Sequence, residues 1–276
     1  MSPLTGRAAA RGAAWGSGGI VGATAVAAGV LAAQLVQARR TIGPQRGVPP
    51  YQDGRFGPPI GTSVRLAVLG DSVGAGLGAD TAADTVAGVL VRGVGAATGR
   101  PVLMTNHAVV GAKSADLERQ VTRALTTRPH VAVLIIGAND VTHLVPERIS
   151  VRHLRAAIDR LVASGTQVIV GTCPDLGTVR PLSRQLRWVG RNRSRSLAAA
   201  QRAVTLEAGG HPVSLHDTLG PEFEANAETM FAPDRFHPSS LGYRRLGAQI
   251  LPVVLRCLGI QQASDRKAIA AARTEV

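Results

Sequence analysis

The chain has 276 residues, of which 45% are hydrophobic and 18% charged, enough for one core domain of about 200 residues with appendages and too apolar to stay disordered. Aromatic residues make up only 3%, so the core must come from Val, Leu, Ile and Ala, which suits a parallel sheet under Ala-rich helices and leaves no stacking platform for single-stranded nucleic acid. The formal charge of +13 is almost all arginine, with Lys113 and Lys267 the only lysines; its dispersal sets nucleic acid aside and keeps anionic lipid or acidic glycan surfaces as partners.

Arg7 and Arg11 precede a segment, Gly12 to Ala38, with no charged side chain, and Arg39 and Arg40 follow it. A bilayer core needs about 20 apolar residues. Residues 1–40 are therefore expected to be a signal peptide or signal anchor, with the chain exported and secreted, envelope-associated or membrane-anchored. A helix packed on the domain is the alternative. Residues 41–61, with Pro49-Pro50 and Pro58-Pro59, read as a spacer. A catalytic-size domain is expected over 62–259, and a polar tail over 260–276.

Within the domain, Val64 to Leu69 is a branched-aliphatic run that stops at Gly70, a first strand. Val86, Val89, Leu90 and Val94 repeat at helical spacing over Asp84 to Ala97, with Asp84 as candidate cap. A second strand and its loop lie within Pro101 to Val110. Ser114 is a candidate cap for a helix carrying Leu117, Val121 and Leu125. His130 to Ile136 is nearly continuous in apolar residues, a central strand. Leu154, Ile158 and Leu161 mark a helix over Ile149 to Ala163, closed by Gly165. A strand at Gln167 to Val170, a helix near Leu197 to Ala208, a fifth strand at Val213 to Leu215 and a closing helix at Leu241 to Leu258 complete the pattern. Strands alternating with helices, without hairpin signals, predict an α/β doubly wound three-layer αβα sandwich around a central, mostly parallel five-stranded sheet. Loops beyond the carboxyl ends of such strands form the usual site.

Three stretches carry chemistry. In Leu69-Gly70-Asp71-Ser72-Val73-Gly74-Ala75-Gly76 a strand ends in a tight turn that can expose the Ser72 hydroxyl beside free backbone N–H groups; a plain turn or cap serine is the competing explanation. The glycines match neither a P-loop nor GxGxxG. In Asp234-Arg235-Phe236-His237 the three-residue separation lets a carboxylate meet the imidazole Nδ1–H and leaves Nε2 to take a serine proton. A capping network is the alternative there, and the histidines show no His-x-x-x-His metal spacing. In Gly137-Ala138-Asn139-Asp140, just past the central strand, the Asn139 amide can face developing negative charge, although Asn and Asp are also ordinary turn residues. Asn106, with Gly111 shortly after, adds a loop and a further backbone donor; His107 has no assigned role.

Together these residues resemble the SGNH/GDSL hydrolase superfamily over essentially Val64 to Leu258. Gly70-Asp71-Ser72 matches the first block of that family, Gly111 its oxyanion glycine, Gly137-Ala138-Asn139-Asp140 its Gly-x-Asn-Asp block and Asp234-Arg235-Phe236-His237 its Asp-x-x-His block. Val73 and the glycine-rich Gly74-Ala75-Gly76 follow the pattern without marking a subfamily. The resemblance implies a serine esterase, acting on lipid or acylated glycan esters through an acyl-enzyme, with Ser72, Asp234 and His237 catalytic. It implies Ser72 N–H, Gly111 N–H and Asn139 Nδ2 as oxyanion donors, Asp71 and Asp140 as supports, and no metal or organic cofactor. An acyltransferase using a sugar or lipid hydroxyl in place of water, and a non-catalytic binding module, are the rival functions.

Three features stand outside that set. His216-Asp217 is a rival base pair, disfavoured because adjacent side chains need a special turn to meet. Arg180, Arg184, Arg187, Arg191, Arg193 and Arg195 occupy a stretch without acids from Leu176 through Leu206, either a solvated surface or, with Leu186 and Trp188, a flap for an anionic membrane or acidic glycan. Cys173 and Cys257 read as two thiols, with a single disulfide as the alternative for an exported domain. No motif sets acyl length or oligomeric state.

Overall fold

The computed structural model describes residues 48–51 and 53–260. Its strands are β1 (Gly54–Phe56), β2 (Val64–Gly70), β3 (Val102–Asn106), β4 (Val131–Ile135), β5 (Gln167–Gly171) and β6 (His211–Val213). They form one six-stranded sheet in the order β1-β3-β2-β4-β5-β6. All neighbours run parallel except β1, which pairs antiparallel with β3 through Gly54 opposite Met104 and Phe56 opposite Val102. The five expected strands are thus the parallel ones, and β1 corrects the count to six. It falls inside the stretch expected to be a spacer, and three residues beginning with Gly54 and followed by Gly57 carry no period that a pattern can register.

The alternation within β2 explains the layers. Leu66 and Val68 face one side and Ala67 and Leu69 the other, and all four are buried. On the first face the core adds Leu90 and Val94 of α2 (Val86–Thr98) and Leu246 and Ile250 of α9 (Ser240–Cys257). On the second it adds Leu117 and Val121 of α3 (Leu117–Ala124) and Leu154, Ile158 and Leu161 of α5 (Glu147–Ala163). Every residue of β4 is buried, as a strand covered by helices on both faces requires. The chain is therefore a three-layer αβα sandwich.

Several local expectations shift. Thr85, not Asp84, caps α2 by accepting from Gly88 N–H at 3.1 Å, while Asp84 pairs with Arg244 at 2.6 Å. Ser114 does not cap: its hydroxyl has no partner among the described residues, and its N–H donates to Asp140. Helix α6 (Arg184–Glu207) starts 13 residues before the expected Leu197, because Ser183 Oγ accepts from Leu186 N–H and begins it there. The last strand ends at Val213, and Leu215 opens α7 (Leu215–Ala225). Cys173 and Cys257 are free thiols, so the disulfide alternative is dropped.

The expectation of a membrane-anchored chain is also corrected. Among the described residues no helix is long and apolar enough to cross a membrane; the longest, α6, has 24 residues but carries six arginines, each costly in a bilayer. Residues 1–40, on which the expectation rested, lie outside the described residues, as do 261–276 of the expected tail.

Candidate active site

Ser72, Asn139 and the segment from Ala232 to His237 meet at the carboxyl end of the sheet, where the first parallel strand, β2, sits between β3 and β4 and the chain switches direction. That crevice is where doubly wound sheets place their ligands. Gly70 makes the turn after β2 possible: its φ is +135°, and a Cβ there would lie 1.8 Å from the Ile135 carbonyl oxygen. Asp71 then caps the short helix α1 (Ser72–Ala75), accepting from Val73 N–H at 3.0 Å, and puts Ser72 at its first position. Backbone N–H groups at such a position have no partner within the helix.

The Ser72 hydroxyl lies 3.0 Å from His237 Nε2, and His237 Nδ1 lies 2.6 Å from Asp234 Oδ2. The other Asp234 oxygen accepts from the N–H groups of Phe236 and His237 at 2.9 and 3.0 Å. Burial pushes the Asp234 carboxyl upward, but the hydrogen bonds from the His237 ring and these two N–H groups outweigh it and hold it below the usual range. An ionised Asp234 therefore faces Nδ1, which must carry the proton and leave Nε2 free to accept. The chain order brings 72 and 237 together only through the tertiary fold, since 165 residues separate them.

Asn139, in α4 (Ala138–Thr142), donates one Nδ2 hydrogen to the Ala112 carbonyl at 3.0 Å. This ties the amide to the loop of Gly111, which occupies the left-handed turn position at φ +82° between Val109 and Ala112. Asn106 Nδ2 holds the same loop to the Gly74 carbonyl at 2.9 Å. Asp140 accepts from Ser114 N–H at 3.0 Å and from Ser150 Oγ at 2.8 Å, so it braces that loop against α5. Asp71 is fully buried, and burial, with Asp140 negative nearby, pushes its carboxyl up to about 7 against the pull of the Val73 and Gly137 N–H groups.

Three supports had no signal in the sequence. Buried Gln120 clamps Gly70, accepting from its N–H at 2.7 Å and donating to its carbonyl at 2.9 Å. Buried Gln201 joins two strand ends, accepting from Cys173 N–H at 2.7 Å and donating to the Ile136 carbonyl at 2.9 Å. Buried Tyr243 donates to the Leu77 carbonyl at 2.7 Å, just past α1. Each is a polar residue inside an amphipathic helix, and only the fold reveals which orphan backbone group it faces. His216 does bond Asp217, at 3.1 Å, which corrects the geometric objection to that pair; its Nε2, however, lies 3.8 Å from Asp175 and belongs to another wall of the site.

Beside Ser72 and His237 opens a mainly apolar cavity of about 60 Å³, walled by Leu176, Val179, Leu219, Phe223, Phe231 and Phe236. The Ser72 hydroxyl thus stands at a concave, mainly apolar site of the kind that binds small molecules. The model of the GDSL-like lipase/acylhydrolase family matches residues 68–245. The chain belongs to that family. A GDSL-like esterase of Mycobacterium tuberculosis, Rv1075c, is 36% identical over 239 residues, covering 82% of this chain and 76% of the relative. Among solved structures, TesA superposes with a TM-score of 0.57 at 22% identity, covering 70% of this chain and 99% of its own. The psychrotrophic esterase EstA of Pseudoalteromonas sp. gives 0.56 at 15%, covering 71% and 100%. Likeness at these identities supports the fold, and family membership makes this chain a serine-type hydrolase of ester bonds.

Proposed function

We propose that Ser72 is the nucleophile, His237 the general base and acid, and Asp234 the group that orients and stabilises the imidazolium. The observation carrying this reading is the continuous chain of two hydrogen bonds, 3.0 and 2.6 Å, from hydroxyl to imidazole to carboxylate. As Ser72 Oγ bonds to the ester carbonyl carbon, its proton passes to Nε2 and the carbonyl electron pair moves onto oxygen. Ser72 N–H, Gly111 N–H and the second Asn139 Nδ2 hydrogen receive that oxyanion; one well-placed donor of this kind is worth about 3 to 4 kcal/mol. Collapse breaks the bond to the alcohol, which leaves with the proton from His237. Water, deprotonated by the same nitrogen, then cleaves the acyl-enzyme, releasing the acid and returning the proton to Ser72. Asp71 and Asp140 act by holding the loops. The acyl group occupies the cavity lined by Leu219 and Phe223. Ser72→Ala should abolish turnover of p-nitrophenyl acetate with an unchanged melting curve; retained turnover overturns the assignment.

A finer reading concerns the arginine-rich stretch. Trp188 is 70% exposed, and Arg184 and Arg195 share its side of α6 at spacings of four and seven residues. We propose this stripe as the contact with an anionic membrane or acidic glycan surface, Trp188 seating in the interface and the guanidiniums meeting the anions. Sedimentation with anionic and neutral vesicles at low and high salt tests it: preference for anionic vesicles, lost in high salt, is expected, and equal binding refutes it.

A further inference from the structure

Two other arginines of α6, Arg187 and Arg191, point elsewhere, and their bonds are specific. Arg187 gives Nε to the Gly177 carbonyl at 2.7 Å and Nη2 to Glu224 Oε1 at 2.5 Å. Arg191 gives Nε to Asp175 Oδ2 at 2.9 Å and Nη2 to Glu224 Oε2 at 2.5 Å. Arg180 adds a bond to the Glu224 backbone carbonyl at 2.6 Å. Each of the two forks thus joins the loop after β5 to the same carboxylate on α7.

Those two segments both line the cavity beside Ser72. Pro174, Asp175, Leu176, Thr178 and Val179 come from the loop, and Leu219, Gly220 and Phe223 from α7. They approach closely where α7 has no side chain: a Cβ on Gly220 would lie 3.3 Å from Asp175 Cβ. The loop is anchored on α6 by Leu176 and Val179 packing with Leu197 and Ala198, and by Asp175, whose carboxylate accepts from Gly177 N–H at 2.7 Å as well as from Arg191. Glu224 is acidic where it sits because its attraction to both arginines and their hydrogen bonds outweigh burial.

We infer that Glu224, through Arg187 and Arg191, is a specificity-determining positioning residue that sets the width of the acyl cavity and so disfavours long acyl chains. With Glu224 present, loop and helix are drawn together beside Ser72. Without it, Arg187 and Arg191 keep their bonds to the loop at Gly177 and Asp175 but lose the carboxylate that ties them to α7, so α7 is free to move away from the loop. Wider walls admit longer chains and grip short ones less well.

This inference rests on the assignment of Ser72, so the esters used must first lose their turnover in Ser72→Ala; turnover that survives there faults that assignment and not the clamp. The experiment compares kcat/KM for p-nitrophenyl octanoate and acetate in wild type and in Glu224→Ala. The octanoate-to-acetate ratio should rise at least fivefold, with Arg187→Gln and Arg191→Gln moving it the same way. A merely structural role lowers both esters by one factor and leaves the ratio in place. A ratio within twofold of wild type in cooperatively folded variants overturns the inference. Should Glu224→Ala not fold, wild type decides: the pairs are partly exposed, so moving from 0.05 to about 1 M NaCl screens them and must raise the ratio, and an unchanged ratio overturns it.

Discussion

Replacing Gln120 by Leu tests how the turn that presents Ser72 is held. The side chain is 2% exposed and makes two hydrogen bonds to Gly70, whose carbonyl also accepts from Val109 N–H at 3.0 Å. Gln120→Leu therefore orphans one buried N–H, at about 1 to 3 kcal/mol, and removes a second bond whose acceptor keeps a partner, at about 1 kcal/mol. A loss of about 2 to 4 kcal/mol is expected, a large share of the 5 to 15 kcal/mol typical of a domain. Gln120→Glu sharpens the argument. A protonated Glu copies the amide, donating to the carbonyl and accepting from the N–H; an ionised one sets two acceptors against Gly70 O. Its folded-state pKa must then rise, so the stability it restores is present at low pH and lost as pH climbs through that raised value. Urea unfolding of wild type, Gln120→Leu and Gln120→Glu at pH 5 and pH 8, alongside kcat for p-nitrophenyl acetate, measures both. A Gln120→Leu loss under 1 kcal/mol, or a Gln120→Glu deficit unaltered between the two pH values, refutes the reasoning.

Further outcomes follow from the same geometry. Asp234→Asn should reverse the tautomer demanded at Nδ1 and lower kcat by about 10³ to 10⁴ with KM little altered, read by steady-state kinetics on a short ester. The wild-type Asp234 carboxyl is held below its ordinary value, so its contribution to stability is present above about pH 4 and lost as pH falls through the depressed value; acid unfolding of Asp234→Asn should show a shallower loss. Asp71 behaves oppositely. With its carboxyl pushed up to about 7, the stabilising protonated form is fully present below about pH 4 and is lost as pH rises through 7. Urea unfolding between pH 5 and pH 8 should therefore show a smaller pH dependence for Asp71→Asn than for wild type.

What the sequence determined by itself was the layering and the short-range pairing of Asp234 with His237. Branched-aliphatic runs such as Val64 to Leu69 and His130 to Ile136 can satisfy their backbone and bury both faces only inside a parallel sheet, and Asp234 lies within reach of His237 in any tight turn. Local chemistry of this kind is written in neighbouring residues. The tertiary structure decided everything that depends on distant partners. A three-residue strand at Gly54–Phe56 exists because β3 offers an open edge, and Gln120 matters because Gly70 is 50 positions away. The arginines that composition assigned to solvent or to a membrane divide in two for the same reason: Arg184 and Arg195 stay exposed, while Arg187 and Arg191 find Glu224. A charge's partner is set by where helices pack, and packing is a property of the whole sheet that no single stretch of sequence contains.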